Sequence, residues 1–436
     1  MRSFRIPPSE RIHKEIREIV EGMTSGNNKF EGNPIEGLME KAKLLIIEQL
    51  LEKEVEEFLN RPYYQRKKQN EDNKGYRNGY EPRKLKTAEG ILPLEVPQVR
   101  DSQEPFRSRI QQFFQNNTDV LMKLSTEMYV RGLSTRDIEE ALYAATGDRL
   151  LSKSSVSRVT EVLWQEYEWF ITRDLSLFDL VYLVVDAVYE TIRPYIKTNE
   201  AILVAYGITT DGRKVLLHMD LGNKESYDFC REFFRNMVQR GLKVPLSVTS
   251  DGAPGLIKAI DEIFPQSLRI RCWVHRMRNL AAKLPPELWE RIKPEVTAIR
   301  DSLTYQEGKE RLENLVKKYQ QEYPSFIRCL SDDQEALLQV LRLPYRHRKT
   351  IRSTNLVERM FLEERRRTSV IPQFLTEKSC LKLVFSVLYR ASYRWRRIAV
   401  SEEEQKQIEQ LRAKLNQNKE SFSSIKKGLE RDAVKV

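Results

Sequence analysis

VYLVVDAVYETIR, residues 181–193, fixes the starting point for the fold. Its β-branched and aromatic residues favour an extended, half-buried strand. Asp186 stands in the middle, flanked by Val184, Val185, Ala187 and Val188. An ionised carboxylate among such neighbours is costly unless it is paired or holds a cation. The stretch is therefore read as a strand carrying an acid that needs a partner.

The segments that follow give this strand its neighbours. AILVAYGITTDGRKVLLHMDL (201–221) reads as a hairpin turning at Asp211-Gly212. ESYDFCREFFRNMVQRGL (225–242) is an amphipathic helix, and VPLSVTSDGA (244–253) is another strand. PGLIKAIDEIF (254–264) is a helix with Pro254 at its start, LRIRCWV (268–274) a last strand, and HRMRNLAAKL (275–284) a helix. The order βββαβαβα resembles a ribonuclease H-like fold, in which an antiparallel three-strand start continues into parallel strands. Asp251 ends an apolar strand, where sites in open α/β sheets collect. Ser-Asp-Gly is also good turn chemistry, so the matched pair of strand acids is what favours a site.

A third acid is expected from a later helix. In TNLVERMFLEERRRTSV (354–370), Thr354 or Asn355 can cap the start and Glu358 lies in the first turn. Glu363 and Glu364 compete, pointing roughly 140° and 240° around from Glu358, so the three share no face. Glu358 is preferred because it follows the cap directly. Three carboxylates suit two divalent cations that activate an attacking oxygen and stabilise a leaving one at phosphorus. Mg2+, with Mn2+ as substitute, prefers such oxygen ligands. Only four histidines are present, which argues against a histidine-rich centre.

The remaining chain divides by composition. Residues 1–60 are read as a helical region, with apolar residues at three- and four-residue spacing over 35–60. Residues 61–115 form a small basic β-element, whose Arg77, Arg83, Lys84 and Lys86 are candidate DNA contacts. Residues 116–175 contain two short helices around Gly147, read as a helix-turn-helix. Ser134 and Asp137 can cap the first of these. Ser152 opens the second, SKSSVSRVTEVL, with Val156, Val159 and Leu163 buried and Lys153, Ser154, Ser157 and Arg158 facing outward. Residues 176–285 and 346–400 would be the two parts of the catalytic domain, 286–345 an all-helical insertion, and 401–436 a charged tail. Arg365, Arg366 and Arg367 could hold a DNA phosphate without reading sequence.

The formal charge of +11 with 31% charged residues suggests positive patches on a folded surface, and nucleic acid is the commonest partner for these. Four scattered cysteines form no disulfide framework. No apolar run is long enough to span a bilayer, and the N-terminus does not read as a signal peptide. A cytoplasmic, nucleoid-associated protein is expected.

Several motifs in order resemble the Mutator-type transposases of bacterial insertion sequences, over about residues 35 to 395. They are RNGYEPRKLKT (77–87), GILPLEVPQVRD (90–101), RGLSTRDIEEAL (131–142), Asp186-Ala with Arg193, and SDGAPG around Asp251. Cys272-x-x-His275-x-x-Arg278-Asn279 follows, then TNLVERMFLEERRR and Pro372. The resemblance implies a metal-binding triad of Asp186, Asp251 and Glu358. It also implies binding to terminal inverted repeats, strand cleavage, and attack of a freed 3′-hydroxyl on target DNA. Ala253 departs from the family pattern, which carries a bulkier residue there. Arg193, Cys272, His275, Arg278, Asn279 and Asn355 are read as supporting the site. Cys272 and His275 lack a second ligand pair, so no zinc is expected, and His347 is read as a surface or phosphate-contacting residue. Two DNA ends must be brought together, so a homodimer is expected. The alternatives are another ribonuclease H-like nuclease, such as a junction resolvase, or an inactivated, domesticated transposase acting as a DNA-binding regulator.

Overall fold

The structure is a computed structural model that describes residues 6–25, 33–65, 75–113, 117–192, 198–222, 226–369, 374 and 376–433. It is mixed α/β and divides into two compact units, 1–129 with 133–160 and 130–132 with 161–436.

The first unit contains α1 (Pro8–Ser25), α2 (Pro34–Leu59), β1 (Tyr76–Thr87), β2 (Gly90–Arg100), α3 (Arg109–Phe113), α4 (Asp119–Val130), α5 (Thr135–Thr146) and α6 (Lys153–Val159). Asn33 caps α2 by accepting from the Ile35 N–H, and Asn60, in the left-handed region, ends it. The expected β-element is an antiparallel pair, β1 with β2, that buries Leu85, Leu92 and Leu94 against Ile12 and Leu44. Ser134 and Asp137 form the anticipated capping box of α5, and Gly147 closes that helix at φ +72°. Ser152 caps α6, with Val156 and Val159 buried and Lys153, Ser154, Ser157 and Arg158 exposed.

The segment 152–163, expected as one helix, is two. Thr160 turns its hydroxyl back to the Ser157 carbonyl, and α7 (Val162–Thr172) begins after the break as part of the second unit. There Leu163, Tyr167 and Phe170 are buried, and the Tyr167 hydroxyl donates to the Met219 carbonyl.

The second unit is organised by β3 (Leu180–Ile192), β4 (Thr198–Thr209), β5 (Lys214–Gly222), β6 (Ser247–Ser250) and β7 (Leu268–Arg271), in the order β5-β4-β3-β6-β7. β3 is antiparallel to β4 and parallel to β6, and β6 is parallel to β7. Between β4 and β5 the expected turn places Gly212 at φ +76°, with the Ile398 carbonyl where a side chain would stand. The helices α8 (Tyr227–Gln239) and α9 (Pro254–Ile263) cover one face of the sheet. Phe233, Phe234, Met237, Leu256 and Ile260 pack there on Leu183, Val185, Leu203 and Val248. Strand alternation turns Val184, Asp186 and Glu190 to the other face.

α10 (Trp273–Ala281) starts two residues before its expected start. The Cys272 N–H still donates to Ser250 of β6, but the Trp273 N–H turns to the Arg352 carbonyl, so the chain leaves the sheet at Cys272. Residues 286–345 contain helices and no strand: α11 (Pro286–Arg300), α12 (Tyr305–Tyr319), α13 (Pro324–Ser331), α14 (Gln334–Leu338) and a 3-10 turn, leading to α15 (Tyr345–Ile351). Trp273 Nε1 donates to the Leu337 carbonyl and buried Arg276 Nη2 to that of Asp332, tying this stretch to α10. α16 (Asn355–Thr368) and α17 (Glu377–Ser392) pack on β3. α18 (Glu402–Ala433) closes the chain, with Ile408 buried. Among the described residues no helix is long and apolar enough to cross a membrane.

Candidate metal centre and active site

Asp186 is only 5% exposed, on the face of β3 opposite α8 and α9. Burial lifts its carboxyl to about 7, His275 opposes this and Asp251 adds to it. Such an acid is stabilised by a cation or by a proton. Donor atoms of Asp186, His275 and Glu358 lie within 4.8 Å of one another, so one ion could reach all three. Carboxylate oxygens with one imidazole nitrogen suit Mg2+ or Mn2+, the imidazole favouring the latter.

Each of the three is delivered by a different element. β3 carries Asp186, the first turn of α10 His275, and the first turn of α16 Glu358. Glu358 accepts both Nη atoms of Arg278, at 3.0 and 3.1 Å, and lies 3.3 Å from His275 Nε2. The Cys272 thiol raises His275 to about 9, with Asp186 and Glu358 adding to this.

Thr354 occupies the cap position of α16 without capping it through its side chain. Its hydroxyl bonds Asp186 and approaches Cys272 Sγ at 3.5 Å, so the residue is drawn into the centre.

Asp251 follows β6 directly. The parallel register pairs Val184 with Thr249, so two further residues bring Asp251 beside Asp186. Its Oδ1 accepts the Ala253 N–H at 3.1 Å, and its carboxylate is outside the three-residue donor group. The glycine of Ser-Asp-Gly lies against a guanidinium. A Cβ at Gly252 would lie 1.0 Å from Nη1 of the buried Arg271.

The two competing glutamates of α16 part company. Glu363 lies outward and pairs with Arg366 and Arg367, each at 2.7 Å, while Glu364 is fully buried. Arg365 and Arg366 are exposed and Arg367 is half-buried. Asn279 and Asn355 are exposed at the surface of α10 and α16. Arg193 and Pro372 lie outside the described residues.

On the β1–β2 pair, Lys84 is exposed, Lys86 half-buried, and Arg83 pairs with Glu81 at 2.9 Å. Arg77 is turned inward. It donates to the carbonyls of Arg61 and Pro62 at 2.9 and 3.3 Å, which commits its fork within the fold.

His347 corrects the sequence reading. It is 1% exposed, with Nδ1 2.8 Å from the Tyr182 hydroxyl and Nε2 3.2 Å from the Ala399 carbonyl, so it is a core residue and touches no solvent phosphate. His275 departs from its expected supporting role in the other direction, since its ring nitrogen approaches two acids. Its i+3 spacing from Cys272 was legible as a half-site, but the nitrogen's approach to Asp186 and Glu358 depends on three separate elements.

The profile described as "Transposase, Mutator family" matches residues 16–398. The transposase for insertion sequence element ISRM5 of Rhizobium meliloti is 32% identical over 364 residues, 83% of this chain and 89% of the relative. That for IS256 in transposon Tn4001 of Staphylococcus aureus is 30% identical, covering 80% of this chain and 89% of its own. That for IS6120 of Mycolicibacterium smegmatis is 31% identical over 62% of this chain and 84% of its own.

Proposed function

The chain belongs to the Mutator family of transposases, and from that premise we propose that it binds the terminal inverted repeats of a mobile element, cuts there, and joins the freed 3′-hydroxyl to target DNA. One observation carries the chemical part: Asp186, His275 and Glu358 converge on one point from three elements, around an acid buried in an apolar strand. In this reading Asp186, Asp251 and Glu358 form the metal-binding triad, with His275 as a further ligand. Bound Mg2+ or Mn2+ would activate the attacking oxygen and stabilise the leaving one. Thr354 orients Asp186 through its hydroxyl, and Arg278 holds Glu358 in place through a bidentate pair.

The order and pairing of β3 to β7 support a ribonuclease H-like catalytic domain, with the helices of 286–345 as its insertion. The exposed Lys153, Ser154, Ser157 and Arg158 support α5 and α6 as a helix-turn-helix. Arg83, Lys84, Lys86, Arg365 and Arg366 would hold DNA backbone, and the working form would be a homodimer in the bacterial cytoplasm.

The test is cleavage of a terminal-repeat duplex with Mg2+, comparing the native protein with Asp186→Ala, Asp251→Ala and Glu358→Ala. All three variants should bind the repeat and fail to cut. Normal cutting by Glu358→Ala would remove the third ligand from the scheme. Binding without cutting by the native protein, under Mg2+ and Mn2+ alike, would make it a DNA-binding regulator.

A further inference from the structure

Four residues beyond Asp186, on the same face of β3, stands Glu190. Six residues beyond Glu358, on the inner side of α16, stands Glu364. Glu364 is 0% exposed, and neither of its oxygens has a well-formed hydrogen bond, although the Thr368 hydroxyl of its own helix acts on it. The group lying against it is the Glu190 carboxyl. Two carboxylates cannot hydrogen-bond to each other until one of them keeps a proton.

The surroundings supply little positive charge. Glu200 pairs opposite Glu190 on β4 and is buried, and the buried Cys380 thiol of α17 faces all three acids. Thr368 Oγ1 donates to Glu190 at 3.5 Å and also favours a charged Glu364, as Arg365 does from the exposed side of α16. Burial and Glu190 together push the Glu364 acid far above the usual carboxylate range.

We propose that Glu364 is a positioning residue, a neutral acid whose proton bridges to Glu190 and clips α16 to β3, so that Glu358 is held over Asp186. The proposal rests on the metal-centre reading above. Glu364 touches no reacting atom; it acts through the helix that carries Glu358. The buried proton replaces the cation or donor that a charged Glu364 would otherwise need.

The experiment uses the full chain and Mn2+ alone as probe, so no DNA is needed. Glu364→Gln keeps a donor toward Glu190 without charge, and Glu364→Met keeps volume without a donor. Mn2+ affinity should be native-like in Glu364→Gln at neutral pH and about tenfold weaker in folded Glu364→Met. Toward alkaline pH the native affinity should fall as the clip ionises, and Glu364→Gln should remove that part of the fall. The same proton appears in folding. Because the acid is neutral when folded and ionised when unfolded, native stability relative to Glu364→Gln should decline as pH rises from mildly acidic to mildly alkaline.

Native affinity in Glu364→Met, or an unchanged pH profile in Glu364→Gln, would overturn the proposal. So would a divalent ion that stabilises Asp186→Ala but not the Asp186→Ala, Glu364→Gln double variant, since the pair would then be a cation site. If Asp186→Ala leaves Mn2+ binding intact, it is the metal-centre reading that fails.

Discussion

β3 carries two acids on one face, Asp186 and Glu190, and each meets a glutamate of α16, yet the two meetings are opposite in kind. At the first, Asp186 and Glu358 are accompanied by His275 and Arg278, with Thr354 bonding Asp186. At the second, Glu190 and Glu364 are accompanied by Glu200, Cys380 and one outward arginine. The first could take up a metal ion, because His275 and Thr354 oppose the burial that lifts the Asp186 carboxyl to about 7. In the second, burial and Glu190 outweigh Arg365 and the Thr368 hydroxyl, so a proton is the low-cost solution. The same residue type on the same pair of elements thus takes its charge state from what packs around it.

The largest expected effect separates the two meetings outright. Asp186→Asn should cut terminal-repeat DNA on the order of 10³-fold more slowly, because metal stabilisation supplies several kcal/mol. Glu190→Gln, measured in the same single-turnover assay, should lose far less. Equal losses would erase the distinction.

His218 extends the comparison to a buried base. It is 3% exposed, both ring nitrogens lack partners, its ring packs tilted against Phe233, and burial lowers it to about 3. A base depressed in the folded state contributes stability above its unfolded value near 6.5 that is lost as pH falls toward about 3. His218→Leu should therefore be more acid-resistant than the native protein by on the order of 2 kcal/mol near pH 4, measured by urea unfolding. A constant difference across pH would show that His218 titrates normally.

Gly252 and Arg271 test the strand-end beside the metal centre. Gly252→Ala should destabilise by roughly 1–3 kcal/mol, because the guanidinium must move. Arg271→Ala on that background should recover part of the loss, a coupling that a double-mutant cycle reads directly. His275→Ala should weaken Mn2+ binding by about 10- to 100-fold in calorimetry. The smallest effect belongs to the exposed surface. Lys84→Ala should reduce the salt slope of DNA binding by about one, uniformly across sequences.

Much of this was legible in the sequence because its signals are local. The apolar run around Asp186 specifies a strand wherever it lies, Ser134 and Asp137 cap a helix by themselves, and Asp211-Gly212 needs only its own torsions to turn a hairpin. The ordered motifs carried the family, since motif order belongs to the chain alone. Local signals failed where a residue's role lies in its contacts. His347 carries the exposed-looking context YRHRK but is buried under Tyr182 and Ala399. Arg77, in a basic stretch, spends its fork on two backbone carbonyls. Thr354 was legible as a cap position, whereas its bond to Asp186 was not.

The sequence by itself determined the order of strands and helices over residues 181–284 and which carboxylates those strands carry, because periodicity, capping and turn chemistry act over a few residues. Only the tertiary structure decided that His275 joins Asp186 and Glu358, that the Arg271 guanidinium lies against Gly252, and that Glu364 faces Glu190. Those outcomes turn on side chains distant in sequence, and desolvation and charge act between whatever groups the fold brings within a few ångströms.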